Sequence, residues 1–115
     1  MNAGLVTLTI LRTILVNLES NMSSNISNMN YVIEQVCANA IAVVERYIDS
    51  GVVEDDSMYD EICEAQKAVD HAWDVCKSRK SQRICRAAWT ACLSAKTDHI
   101  SSAKMNVDEY KELVK

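Results

Sequence analysis

The chain has no proline and no phenylalanine, and its only glycines are Gly4 and Gly51. Sheet proteins need turn residues every few positions. Their scarcity here predicts an all-α fold. Catalytic signatures are missing as well. No glycine-rich phosphate cradle, His-Glu-x-x-His or Gly-x-Ser-x-Gly motif occurs. There is no Cys-x-x-Cys, and five cysteines cannot form a fully paired disulfide framework within one chain. Free thiols in a reducing, cytoplasmic setting are the simpler expectation. The apolar stretch from Leu5 to Leu18 is too short to span a bilayer and is interrupted by Arg12. It lacks a charged leader and a small-residue cleavage site, so no signal peptide is expected. The sequons Asn21-Met22-Ser23 and Asn25-Ile26-Ser27 are then read as chance.

What is present fits one domain. The 115 residues are 49% apolar, enough to bury a core without staples. The most informative motif occurs twice. Ala72-Trp73-Asp74-Val75-Cys76 precedes a basic stretch, and Ala88-Trp89-Thr90-Ala91-Cys92 follows it. Two Ala-Trp-x-x-Cys pentads around a polar break suggest a close-packed helical hairpin.

Periodicity supplies the elements. Leu5, Leu8, Leu11, Leu15 and Leu18 make a helical stripe over about 4–19, although β-branched neighbours leave a strand as the alternative. Residues 20–30 are rich in Ser and Asn and read as a linker. A helical core over 31–104 follows. Its first helix carries Ile33, Val36, Cys37, Ala40, Val44 and Tyr47 on one face, and Gly51 stops it. Ser57-Met58-Tyr59-Asp60 resembles a capping box for the next. Met58, Ile62, Ala65, Val69, Ala72 and Cys76 then form a packing seam.

The apolar phase sets the next break. Cys76 and Cys85 are nine positions apart, roughly half a revolution at about 100° per residue. One straight helix would split the two stripes, whereas a hairpin capped by Ser78 or Ser81 reunites them. That hairpin places Cys76 near Cys85, Val69 near Cys92 and Trp73 near Trp89. Asn106-Val107-Asp108-Glu109 reads as a further capping box for a short C-terminal helix over 107–114. The expected architecture is an antiparallel bundle of about four main helices plus that short one.

Charge is uneven. The net charge of −4 argues against nucleic-acid binding over the whole surface. Lys77, Arg79, Lys80, Arg83 and Arg86 nevertheless crowd one turn, and Glu54, Asp55 and Asp56 open the segment before it. These eight residues are the expected partner-binding positions. The basic cluster could grip an acidic protein or phosphate. Trp73 and Trp89 are expected too far along the hairpin to serve it as a stacking platform. The acidic run has cap chemistry as its plain role and a decoy for a basic site as its functional one. Asp70, His71 and Asp74 read as a solvated face. Cys63, Cys85, Cys92 and His99 are a conceivable zinc set, with core packing the plainer role for the thiols.

The stretch from Val43-Val44-Glu45-Arg46-Tyr47 through Asp49-Ser50-Gly51 and Asp55-Asp56-Ser57 to Ala72-Trp73 and Ala87-Ala88-Trp89 resembles Ala/Trp-rich helical segments of bacterial and phage proteins. Some of those are labelled immunity proteins. The resemblance covers roughly residues 43–95, with Cys, Val and Ile at many of the alanine positions. It brings no catalytic residues and implies a helical module that works by binding. The expected function is non-catalytic protein binding of an immunity or inhibitor type, with no cofactor. A nucleic-acid-associated protein and a metal-binding protein are the alternatives. Self-association is expected as an option, including a swapped dimer opened across 57–104.

Overall fold

The computed structural model describes residues 26–115. The helix expected over about 4–19 and the first sequon lie outside them. Four helices make up the described chain: α1 (Ile26–Ser50), α2 (Asp56–Val75), α3 (Arg79–Lys96) and α4 (Ile100–Leu113). No strand occurs among the described residues.

Helix α1 is the longest, at 25 residues, and begins inside the expected linker. Its expected face, Ile33, Val36, Cys37, Ala40, Val44 and Tyr47, is wholly buried. Met29, Val32, Ile41 and Val43 are buried beside it. The stripe is this wide because α1 packs on all three other described helices. Gly51 ends the helix as expected. It sits at φ +82°, and its N–H donates to the Tyr47 carbonyl at 2.9 Å.

Helix α2 starts two residues before the expected box. Asp55 is the N-cap, and its Oδ1 accepts from the Met58 N–H at 2.8 Å. A carboxylate caps as well as a hydroxyl does and also complements the helix dipole, so Asp55 displaces Ser57. The seam Ile62, Ala65, Val69, Ala72 and Cys76 is buried, with Met58 partly so. The break after it falls where the apolar phase demands. Cys76 is the C-cap of α2, and Ser78 caps α3 by accepting from the Ser81 N–H at 3.0 Å. Cys76 and Cys85 meet, as the hairpin requires. Further along, Lys96 Nζ donates to Gln66 Oε1 at 3.3 Å.

Helix α3 contacts α1, α2 and α4, whereas α2 and α4 do not meet. Its inner side is small: Ala87, Ala88, Ala91, Cys92 and Ala95 are all buried. Residues this small let helix axes approach closely. Trp73 and Trp89 are partly buried against the core.

One break was not expected. α3 stops at Lys96, and the chain turns at 97–99 with no glycine. Asp98 adopts φ +60°. The Asp98 N–H donates to the Ala95 carbonyl at 3.0 Å and the His99 N–H to Ser94 at 2.8 Å. This is a Schellman ending with Asp in the left-handed place glycine usually takes. A tertiary contact holds it there. The buried Tyr47 hydroxyl donates to Asp98 Oδ1 at 2.7 Å. Because of this turn, α4 begins at Ile100, seven residues before the expected C-terminal helix. Asn106 is therefore no cap. It lies inside α4, and its Nδ2 donates to Ser94 Oγ at 3.0 Å.

Substitutions at Asp98 separate its two roles. Asn tolerates the left-handed region and can still accept from Tyr47, so Asp98→Asn should cost under about 1 kcal/mol. Asp98→Ala strains the turn and orphans a buried hydroxyl, for a loss of about 2 kcal/mol or more. Urea denaturation of the two variants checks this ordering.

Candidate functional site

The five-cation cluster divides in the folded chain. All five side chains are exposed. Arg79, Arg83 and Arg86 recur at steps of four and three, so they project from one face of α3. Lys80 points elsewhere, into a cavity of about 230 Å³ shared with Glu34, Ile84 and Tyr110. Lys77 lies in the turn before α3. None of the five has an ion-pair partner among the described residues.

The arginine face forms a ridge between two grooves. On one side Trp73, Arg79, Gln82, Arg83 and Arg86 line a depression of about 260 Å³. On the other, Arg83, Arg86, Thr90, Asn106, Glu109 and Leu113 line a larger one of about 420 Å³ against α4. Arg83 and Arg86 thus border both. The expectation that Trp73 stands apart from the basic cluster is corrected here. Trp73 comes from the last turn of α2, and the short 76–78 connection brings it beside the first turns of α3. Counting residues along the hairpin overstated the separation, because bulky indole and guanidinium side chains span several ångströms each. Trp89 lines neither groove.

The acidic run forms a separate place. It opens α2, and the basic turn follows the other end of that 20-residue helix, about 30 Å away at 1.5 Å per residue. Glu54, Asp55 and Asp56 are exposed. Glu54 and Asp55 share a cavity of about 210 Å³ with Arg46, Met58 and Glu61. Asp55 is spent on the cap and Arg46 on an ion pair with the buried Glu61. Local folding thus accounts for much of this cluster. Asp70 and Asp74 are exposed on α2, and His71 is half-buried.

The conceivable zinc set is not assembled. Cys85 lies against Cys37 and Cys76, whereas Cys92 faces Cys63. His99 is exposed at the start of α4, its Nδ1 3.0 Å from Thr97 Oγ1. Among the described residues no group of three or more His, Cys, Asp or Glu side chains is placed to hold a metal ion. Cys85 and Cys92 lie on α3, but that helix ends at Lys96, and the break at 97–99 takes His99 off its line. Burial, with nearby thiols, pushes Cys76 up to about 11 and Cys92 up to about 12. Near neutral pH such thiols are mostly protonated and pack as small apolar groups.

No described helix is long and apolar enough to cross a membrane. Comparison with protein-family models, with curated proteins and with solved structures found no match.

Proposed function

We propose that this chain is a small, non-catalytic protein-binding module, an antiparallel helical bundle that offers the Arg79, Arg83 and Arg86 face to an acidic partner. The observation that carries this reading is the arginine ridge itself. Three guanidiniums on one helix face, with no carboxylate satisfying them among the described residues, stand between two grooves. Planar guanidinium groups suit bidentate pairing with carboxylates, and Trp73 adds apolar contact area at their flank. The immunity- or inhibitor-type resemblance points the same way, as do free thiols toward a cytoplasmic setting. A second copy of the chain is a further candidate partner, since acidic and basic clusters occupy opposite ends of α2.

Nucleic acid is the second reading, because Trp73 flanks the arginines. One feature favours a protein. The three arginines span only about 10 Å of helix, too short to track a phosphate backbone.

Replacing Lys77, Arg79, Lys80, Arg83 and Arg86 with Gln tests both readings. All five are exposed, so helix content should hold and the melting temperature should move by less than about 5 °C. Partner affinity should fall at least tenfold, which is about 1.4 kcal/mol. Anisotropy of a labelled oligonucleotide at physiological salt should show no saturable binding by the native chain. Saturable binding that weakens steeply with salt transfers the ridge to nucleic acid.

A further inference from the structure

Three of the five cysteines converge on one sulfur. The Cys37 thiol of α1 donates to Cys85 Sγ of α3 at 3.7 Å. Cys76, at the end of α2, reaches the same sulfur with its side chain and also donates to the Trp73 carbonyl at 3.2 Å. All three are free and buried, but not equally. Cys37 and Cys85 are fully enclosed, whereas Cys76 keeps 6% of its surface at the edge of the turn. The binding face proposed above makes no use of them.

We propose that Cys76, Cys85 and Cys37 form a disulfide-exchange relay, driven by a small-molecule disulfide, that ends in a Cys37–Cys85 bond tying α1 to α3. Cys76 reacts first because it alone of the three keeps any exposed surface, although burial holds its thiol largely protonated near neutral pH. Its thiolate attacks the small disulfide RSSR. A Cys76–SR bond forms, the S–S bond breaks, and the departing RS⁻ takes up the proton that Cys76 released. Cys85 then attacks the Cys76 sulfur and expels the second RS⁻, which takes the Cys85 proton. Cys37 finally attacks the Cys85 sulfur, and Cys76 returns to a thiol with the Cys37 proton. Two protein thiols are oxidised to one disulfide, and RSSR is reduced to two RSH.

The end point follows from geometry and chain entropy. Bonded sulfurs lie about 2.05 Å apart, so the Cys37–Cys85 pair must close by roughly 1.7 Å. That bond joins residues 48 positions apart, against nine for Cys76–Cys85, and so restricts the unfolded chain more. Cys76 meanwhile regains its hydrogen bond to Trp73. Burial holds Cys76 up near 11, so the relay is slow at neutral pH and quickens about tenfold per pH unit toward 9.

The test is to incubate the native protein with oxidised glutathione at pH 8 and pH 9, quench by alkylation, and map tryptic peptides at intervals. Arg46, Lys67, Lys77, Arg83 and Arg86 separate all five cysteines onto different peptides. Early samples should carry glutathione on Cys76. Late samples should show the Cys37 and Cys85 peptides linked and Cys76 alkylated. The linked protein should melt about 5 °C or more above the reduced one, reversed by dithiothreitol. Cys76→Ser should slow the link at least tenfold. A Cys76–Cys85 end product, no link at pH 9, or an unchanged rate in Cys76→Ser would each overturn the relay. The early glutathione adduct in the native chain decides the matter even if a variant folds poorly.

Discussion

Raising the pH from about 8 to about 11 should unfold this protein. Burial is the leading cause that lifts Cys76 from 9.0 to about 11 and Cys92 from 9.0 to about 12. The Cys37 thiol, and burial after it, raise Cys85 further still. Burial first, then the hydrogen bond to Asp98, moves Tyr47 from 10.0 to about 12, and burial does the same to Tyr110. Each folded-state value exceeds its unfolded one. Above pH 9 the unfolded chain therefore binds fewer protons than the folded chain, and stability falls as pH rises. The stabilisation is complete below about pH 9 for the thiols and about pH 10 for the phenols. It drains away through about 11 to 12. At pH 11 Cys76 and Cys92 each forfeit about 2 kcal/mol, and Cys85 adds to the loss, together a large share of the stability of a small domain. Circular dichroism against pH, under reducing conditions, measures this. Helix content that holds at pH 11 with undiminished urea resistance would contradict the core described here.

The Arg46–Glu61 pair should behave asymmetrically. Glu61 is 2% exposed, and its Oε1 is paired with Arg46 Nη2, whose own side chain is half-exposed. Removing Arg46 strands a buried carboxylate. Breaking a fully buried pair this way costs about 3–5 kcal/mol, and the exposure of Arg46 reduces the expectation for Arg46→Ala to about 2–3 kcal/mol. Glu61→Gln frees a guanidinium that water can solvate, and the amide can still accept from it. That change should cost under about 1 kcal/mol. The double variant should recover most of the Arg46→Ala loss. Denaturant midpoints for the three proteins complete the cycle. Equal losses in both single variants would mean that Glu61 is solvated and that α1 and α2 meet differently at this end.

Much of the fold was legible because helical packing leaves a periodic trace. The seam from Ile62 to Cys76 and the face from Ile33 to Tyr47 are buried as their spacing required. The phase slip between Cys76 and Cys85 located a real turn, and Ser78 caps it. What escaped was set by contacts distant in sequence. Asp98 takes a left-handed turn with no glycine to announce it, and its partner Tyr47 is 51 positions away. Without that turn, Asn106 looked like a cap and α4 looked short. Asp55 competed with Ser57 for one cap, and a local pattern could not rank them. The candidate site was legible as a run of cations but not as a shape. Helical spacing could have picked Arg79, Arg83 and Arg86 from the five. The approach of Trp73 depends on how tightly the 76–78 connection closes, which composition does not encode.

The arginine ridge should bind an acidic protein. Native chain and the five-Gln variant, immobilised side by side, should be exposed to nuclease-treated native lysate and the retained proteins identified by mass spectrometry. One near-stoichiometric acidic protein should be retained by the native chain and be absent from the variant. The same proteins on both surfaces, or nothing retained by the native chain after nuclease treatment, would contradict that binding.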